Sequence, residues 1–175
     1  MKHTARALTL TAALLATAGC ASSGTVKNPA PIAMPDPIPT ATQATLAAVA
    51  RTYQDAANRG DWQAACALSS ASLRGGSTAD CVTARTSTPP PATTPAPGTL
   101  DGPGPAAAGA VIRMPQGPGS HPAGYGVYIT FTLDPSGKVG RRALRLVDED
   151  GAWVVDQSED GIFGESQLRR VLLRS

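Results

Sequence analysis

The chain has 175 residues, with 15 Lys+Arg against 13 Asp+Glu. Two of those cations, Lys2 and Arg6, lie at the extreme N-terminus, so beyond residue 19 the count is 13 against 13 and the chain is formally neutral. No basic stripe remains to track phosphates, which excludes nucleic acid as an expected partner. Eighteen glycines and sixteen prolines, with only 4 % aromatic residues, leave material for one modest core and a good deal of chain outside it.

Lys2 and Arg6 precede Ala7 to Ala18, an uncharged run rich in Ala, Leu and Thr. It is too short to span a bilayer, which takes roughly 20 apolar residues. A short positive region, an apolar run and then small residues predict a cleaved secretory signal over residues 1–19. Ala18-Gly19-Cys20 then resembles the lipobox of bacterial lipoproteins, with Thr17 standing where Leu is usual. That resemblance implies that the Cys20 thiol carries a diacylglyceryl group of palmitate type. Cys20 then becomes the mature N-terminus, and the protein hangs from the outer face of the cell membrane. An ordinary cleaved signal followed by an unrelated cysteine is the alternative.

Residues 20–44 form the lipidated N-terminus and a tether in which Pro29, Pro31, Pro35, Pro37 and Pro39 block helix and central strand alike. Order is expected from Thr45. Leu46, Val49, Ala50, Tyr53, Ala56 and Ala57 recur at helical spacing, with Thr42 or Thr45 as cap and Gly60 as stop. Asp61 caps a second helix that starts at Trp62, carries Cys66 and runs to Gly75-Gly76. Ser77-Thr78-Ala79-Asp80 opens a third, carrying Cys81. With Cys20 acylated, Cys66 and Cys81 are the remaining cysteines of the three, and in an exported chain two spare thiols are expected to join. A redox or metal pair is the alternative, but the spacing is not that of a CxxC.

Residues 86–110 are Pro- and Thr-rich and predict a low-complexity insertion that cannot bury enough apolar surface to order itself. A glycosylated or partner-binding segment is the sharper alternative. A short strand is expected over Val111–Met114, then a Gly/Pro loop holding His121. Tyr125, Val127, Ile129, Phe131 and Leu133 alternate with Gly126, Tyr128, Thr130 and Thr132, the pattern of a strand packed on one face. Turn chemistry at Asp134-Pro135-Ser136-Gly137 and at Asp148-Glu149-Asp150-Gly151 separates it from two further strands, over Val139–Val147 and Ala152–Asp156, which makes an antiparallel meander. A short terminal helix is expected from about Glu165.

The stretches TYQDAANRGDWQAACALSSASLR, Cys81 and LRLVDEDGAWVVDQ carry a second resemblance, to actinobacterial-type lipoproteins with an NTF2-like (cystatin-like α+β, SnoaL-like) domain. It covers Thr45–Cys81 and Tyr125–Gln157. It implies an α+β fold over residues 45–175, with N-terminal helices packed on a curved antiparallel sheet that closes a cone, flanked by Pro-rich segments. In enzymes of this family a carboxylate works inside the cone, where desolvation raises its pKa. Here Asp55 lies on the first helix, Asp61 reads as a cap, and Asp134, Asp148, Glu149 and Asp150 sit in turns. Asp156 follows a strand, and His121 reads as a solvated loop residue.

The expectation is therefore a non-catalytic binding module for an envelope protein or a small apolar ligand, with no metal or other cofactor. A cyclase- or isomerase-type enzyme using a cavity carboxylate is the alternative. Tyr53, Trp62, Tyr125 and Tyr128 are candidates to line a cavity, or else serve as core and rim. Arg141, Arg142 and Arg145 read as a solvated positive face, or as a contact with acidic wall polymer or lipid headgroups.

Overall fold

The computed structural model describes residues 36–87, 104–133 and 137–174. The signal segment, Cys20, the tether up to Pro35 and most of the Pro/Thr-rich insertion lie outside the described residues. Among the described residues no helix is long and apolar enough to cross a membrane.

Helix α1 spans Thr40–Asn58. It starts ahead of the expected Thr45, so the tether does not reach residue 44. Pro39 sits in an extended conformation directly before it, and its carbonyl accepts from Gln43 N at 3.0 Å. Neither Thr42 nor Thr45 caps the helix; Thr45 Oγ1 donates back to the Ala41 carbonyl instead. Its inward stripe of Leu46, Ala50, Tyr53 and Ala56 lies against the sheet. Gly60, at φ +70°, ends the helical path.

The expected second helix is in fact two. Helix α2 (Trp62–Ala67) is capped by Asp61, whose Oδ1 accepts from Ala64 N at 3.1 Å. Helix α3 (Ala71–Arg74) is capped by Ser70 and closed by left-handed Gly75. Between them, Leu68–Ser70 leaves helical geometry to pair with the sheet. Val155 N donates to Leu68 O at 2.8 Å, and Ser70 N donates to Val155 O at 2.7 Å. Two consecutive serines are weak helix formers, and an open sheet edge offers their backbone equivalent bonds. Helix α4 (Thr78–Ser87) runs into the stretch expected to be low-complexity and begins in a reciprocal cap. Ser77 N and Oγ donate to Asp80 Oδ2, and Asp80 N donates to Ser77 Oγ. A disulfide joins Cys66 on α2 to Cys81 on α4.

Strands β1 (Ala107–Met114), β2 (Gly124–Thr132), β3 (Val139–Glu149) and β4 (Ala152–Asp160) form one antiparallel sheet in the order β1-β2-β3-β4. β1 starts inside the segment expected to be insertion, because its small residues still pair: Ala107 lies opposite Thr130 and Ala108 opposite Ile129. The fold is thus α+β, with a meander sheet and helices on both sides. One face packs Val127, Ile129, Phe131, Leu144, Leu146 and Val155 against α1. The other packs Met114, Tyr128 and Ala143 under Phe163 and helix α5 (Leu168–Leu172). A bulge in the β3–β4 ladder, between Arg145 and Leu146, leaves Asp156 as the extra residue of β4.

Candidate functional site

The four aromatic candidates do not line one cavity. Tyr53 is buried in the α1 side of the core, and half-buried Trp62 packs on that cluster with the Arg85 guanidinium 5.8 Å from its ring centre. Tyr128 points to the opposite face, stacks edge-on against Phe163 and donates its hydroxyl to the Phe163 carbonyl at 3.1 Å. The period-2 pattern places Tyr128 there correctly; what composition does not show is that α5 covers that face.

Tyr125 packs on the margin of the α1-side core, at the end of the sheet where β2 begins. Trp153 of β4 meets it edge to face, with ring centres 5.4 Å apart. Arg113 of β1, directly across the ladder from Tyr125, lays its guanidinium 5.7 Å from the tyrosine ring and donates to its hydroxyl at 3.3 Å. These three, with Met114, Val147, Asp148 and residues 122–124, bound an open cleft of about 340 Å³. Its walls are mainly apolar, with a cation on one rim and a carboxylate on the other. Asp148 is partly committed, since one oxygen accepts from Gly151 N at 2.8 Å across the β3–β4 turn. An aromatic floor with two opposite charges suits a small amphiphilic ligand or an exposed peptide segment.

One wall of this cleft is held from inside the protein by a buried polar group that the sequence pattern misplaces. Arg145, expected on a solvated face, is 0 % exposed. Its Nε donates to Gln157 Oε1 at 3.1 Å and its Nη2 to Leu172 O at 3.0 Å. Its Nη1 reaches both Pro115 O (2.8 Å) and Pro122 O (3.0 Å). Desolvation pushes the guanidinium pKa down, and the nearby Asp156 carboxylate opposes that shift. Arginine stays charged under either influence.

His121 is also not a solvated loop residue. Its Nδ1 lies 2.6 Å from Asp156 Oδ2, and its side chain is 18 % exposed against 2 % for Asp156. The other Asp156 oxygen accepts from Ser70 Oγ at 2.8 Å. Serine and histidine therefore meet the same carboxylate rather than each other. This is a clasp joining α3, β4 and the His121 loop, not a nucleophile–base arrangement. Ser70 Oγ in addition accepts from Leu73 N at 3.0 Å as a helix cap.

Of the other expected carboxylates, Asp55, Asp61 and Glu149 are likewise engaged, and Asp134 lies outside the described residues. Asp55 accepts from Ala106 N at 2.7 Å, Asp61 caps α2, and Glu149 accepts from Ala71 N at 3.2 Å. Arg142 forms a paired fork with Asp160, one arm at 2.7 Å, and also reaches Gln54. Of the three arginines read as one patch, Arg141 keeps an exposed position, Arg142 is neutralised and Arg145 is interior. Among the described residues no group of three or more His, Cys, Asp or Glu could hold a metal ion. Comparison with protein-family models, with curated proteins and with solved structures returns no match.

Proposed function

We propose that this protein is a cell-envelope lipoprotein, acylated at Cys20, whose NTF2-like domain is a non-catalytic binding module that presents the Tyr125–Trp153 cleft. The observation that carries the reading is the Cys66–Cys81 disulfide. Such crosslinks persist outside the reducing cytoplasm, which agrees with an export signal ending in a lipobox. Three features support the family placement. The Gly60-Asp61-Trp62 corner joins α1 to α2, α1 lies across one face of the meander, and Trp153 packs into the helix-side core. Binding without chemistry is supported by the engagement of Asp156 on both oxygens and by α1 filling the helix-side face of the sheet.

Two measurements test this. Intact-mass analysis of protein recovered from the envelope is expected to show a chain that begins at Cys20 and carries acyl groups. Cys20→Ala is expected to abolish acylation and to free the chain from the membrane; retention of that variant in the membrane as firmly as wild type refutes the anchor. For the cleft, small molecules and peptides co-recovered with wild type are expected to be lost from Arg113→Ala, whose side chain is exposed. Identical recovery from both would remove the cleft from the reading.

A further inference from the structure

Among the described residues, the large apolar side chains that stand exposed are Leu133 (42 %), Val139 (53 %) and Ile162 (96 %). Singly exposed apolar residues mean little, but these three sit at one end of the sheet. Thr132 lies opposite Val139 in the last pair of the β2–β3 ladder, and Leu133 N donates to Lys138 O at 2.7 Å. Arg142 lies opposite Asp160 where β4 ends, and Gly161 N donates to Arg141 O at 3.3 Å. The register therefore brings the β2–β3 hairpin and the segment leaving β4 side by side.

Exposed cations surround this end. Lys138 and Arg141 stand on the hairpin. Arg170 and Arg174, with Ile162 and Phe163, line a cleft of about 330 Å³. Of the acids there, Asp160 is neutralised by Arg142, and Glu159 forms part of the same cleft wall. Among the described residues cations thus outnumber acids at this end, Lys138, Arg141, Arg142, Arg170 and Arg174 standing against Glu159 and Asp160, while Asp134 of the hairpin turn lies outside the described residues.

We propose that this end of the sheet docks on an anionic lipid bilayer. Leu133, Val139 and Ile162 enter the headgroup region, and Arg170 with Arg174 take a lipid phosphate. The charge complementarity favours lipid. Aliphatic side chains ringed by lysine and arginine match an anionic interface, whereas protein interfaces are built on aromatic anchors and depleted in lysine, and Leu133, Val139 and Ile162 offer no aromatic anchor. The inference rests on the envelope reading in one respect: the acyl chains at Cys20 would hold the domain within reach of that surface.

The test uses the full-length acylated protein in vesicles of phosphatidylcholine alone and of phosphatidylcholine with phosphatidylglycerol, read by hydrogen exchange. Residues 137–141 and 161–163 are expected to exchange about threefold or more slowly on the anionic vesicles, with the effect lost at high salt. Ile162→Asp, at a position too exposed to disturb packing, is expected to abolish the protection while exchange within the strands stays unchanged. The Arg170→Glu/Arg174→Glu variant is expected to do the same. Equal exchange on both vesicles, or full protection in Ile162→Asp, overturns the proposal. Protection reproduced by inorganic phosphate on phosphatidylcholine vesicles overturns it in favour of a free-anion site. A chain whose mass shows no acyl group fails the envelope reading alone. Docking is then decided by co-sedimentation of that chain with phosphatidylglycerol vesicles, where absence from the pellet overturns it.

Discussion

Asp80 and Arg145 show how differently two charged residues can contribute. The Asp80 carboxylate accepts from the Ser77 hydroxyl and from Ser77 N, and these bonds hold its pKa below the ordinary 3.8. A carboxylate with a lowered folded pKa stabilises the fold above its unfolded value and loses that contribution as pH falls through the folded one. Asp80→Asn is therefore expected to lower the melting temperature modestly at neutral pH. The gap to wild type should close as pH drops below 3.8, in parallel thermal scans. Arg145 acts through buried geometry instead. Arg145→Met would strand the carbonyls of Pro115, Pro122 and Leu172 without their donor, and is expected to cost about 3–5 kcal/mol in urea unfolding. Arg145→Lys, lacking the planar fork, should recover only part of that. The Asp80 motif was legible because both partners lie within one turn, as Ser-x-x-Asp. Arg145 was not, because strand alternation assigns a side but cannot say whether a later segment covers it. The His121–Asp156 contact was not legible either, its partners being 35 residues apart, with Asp156 the bulged residue of β4.

Elements announced by local chemistry were the ones the sequence disclosed. The Tyr125–Phe131 alternation, the Asp150-Gly151 turn and the Asp61 cap each have their cause within a few residues and stand in the structure. Leu133 instead falls beyond β2 and is exposed, and Asp148 and Glu149, expected in the turn, pair within β3. The split between α2 and α3 has its cause far along the chain, where Leu68 and Ser70 pair with Val155 and the Ser70 hydroxyl meets Asp156, 86 residues on, and no window of local pattern contains it. The disulfide ties this irregular helical half together across 15 residues of chain. Reduction, or Cys66→Ser with Cys81→Ser, is expected to lower stability by about 3 kcal/mol in the chain-entropy account. Denaturant midpoints with and without reductant measure it. An unchanged midpoint would mean that helix packing alone holds α2 to α4.

At the scale of the whole molecule, the meander has two edges, and both carry partners. Leu68–Ser70 pairs with β4 on one side. On the other, Glu165 Oε1 accepts from Ala110 N at 2.9 Å, and Arg169 Nη2 donates to Arg113 O at 3.0 Å. Side chains thus occupy backbone groups that could otherwise template a second copy. The Glu165→Ala/Arg169→Ala double variant is expected to raise self-association at constant fold, read by light scattering. A scattering profile identical to wild type would show that the edge is inert without them. Arg145 has a consequence on this scale as well. Its bonds tie positions 115, 122, 157 and 172 to one guanidinium. However early the helices form, a chain leaving the ribosome or threading a pore cannot lock until everything through residue 172 has emerged.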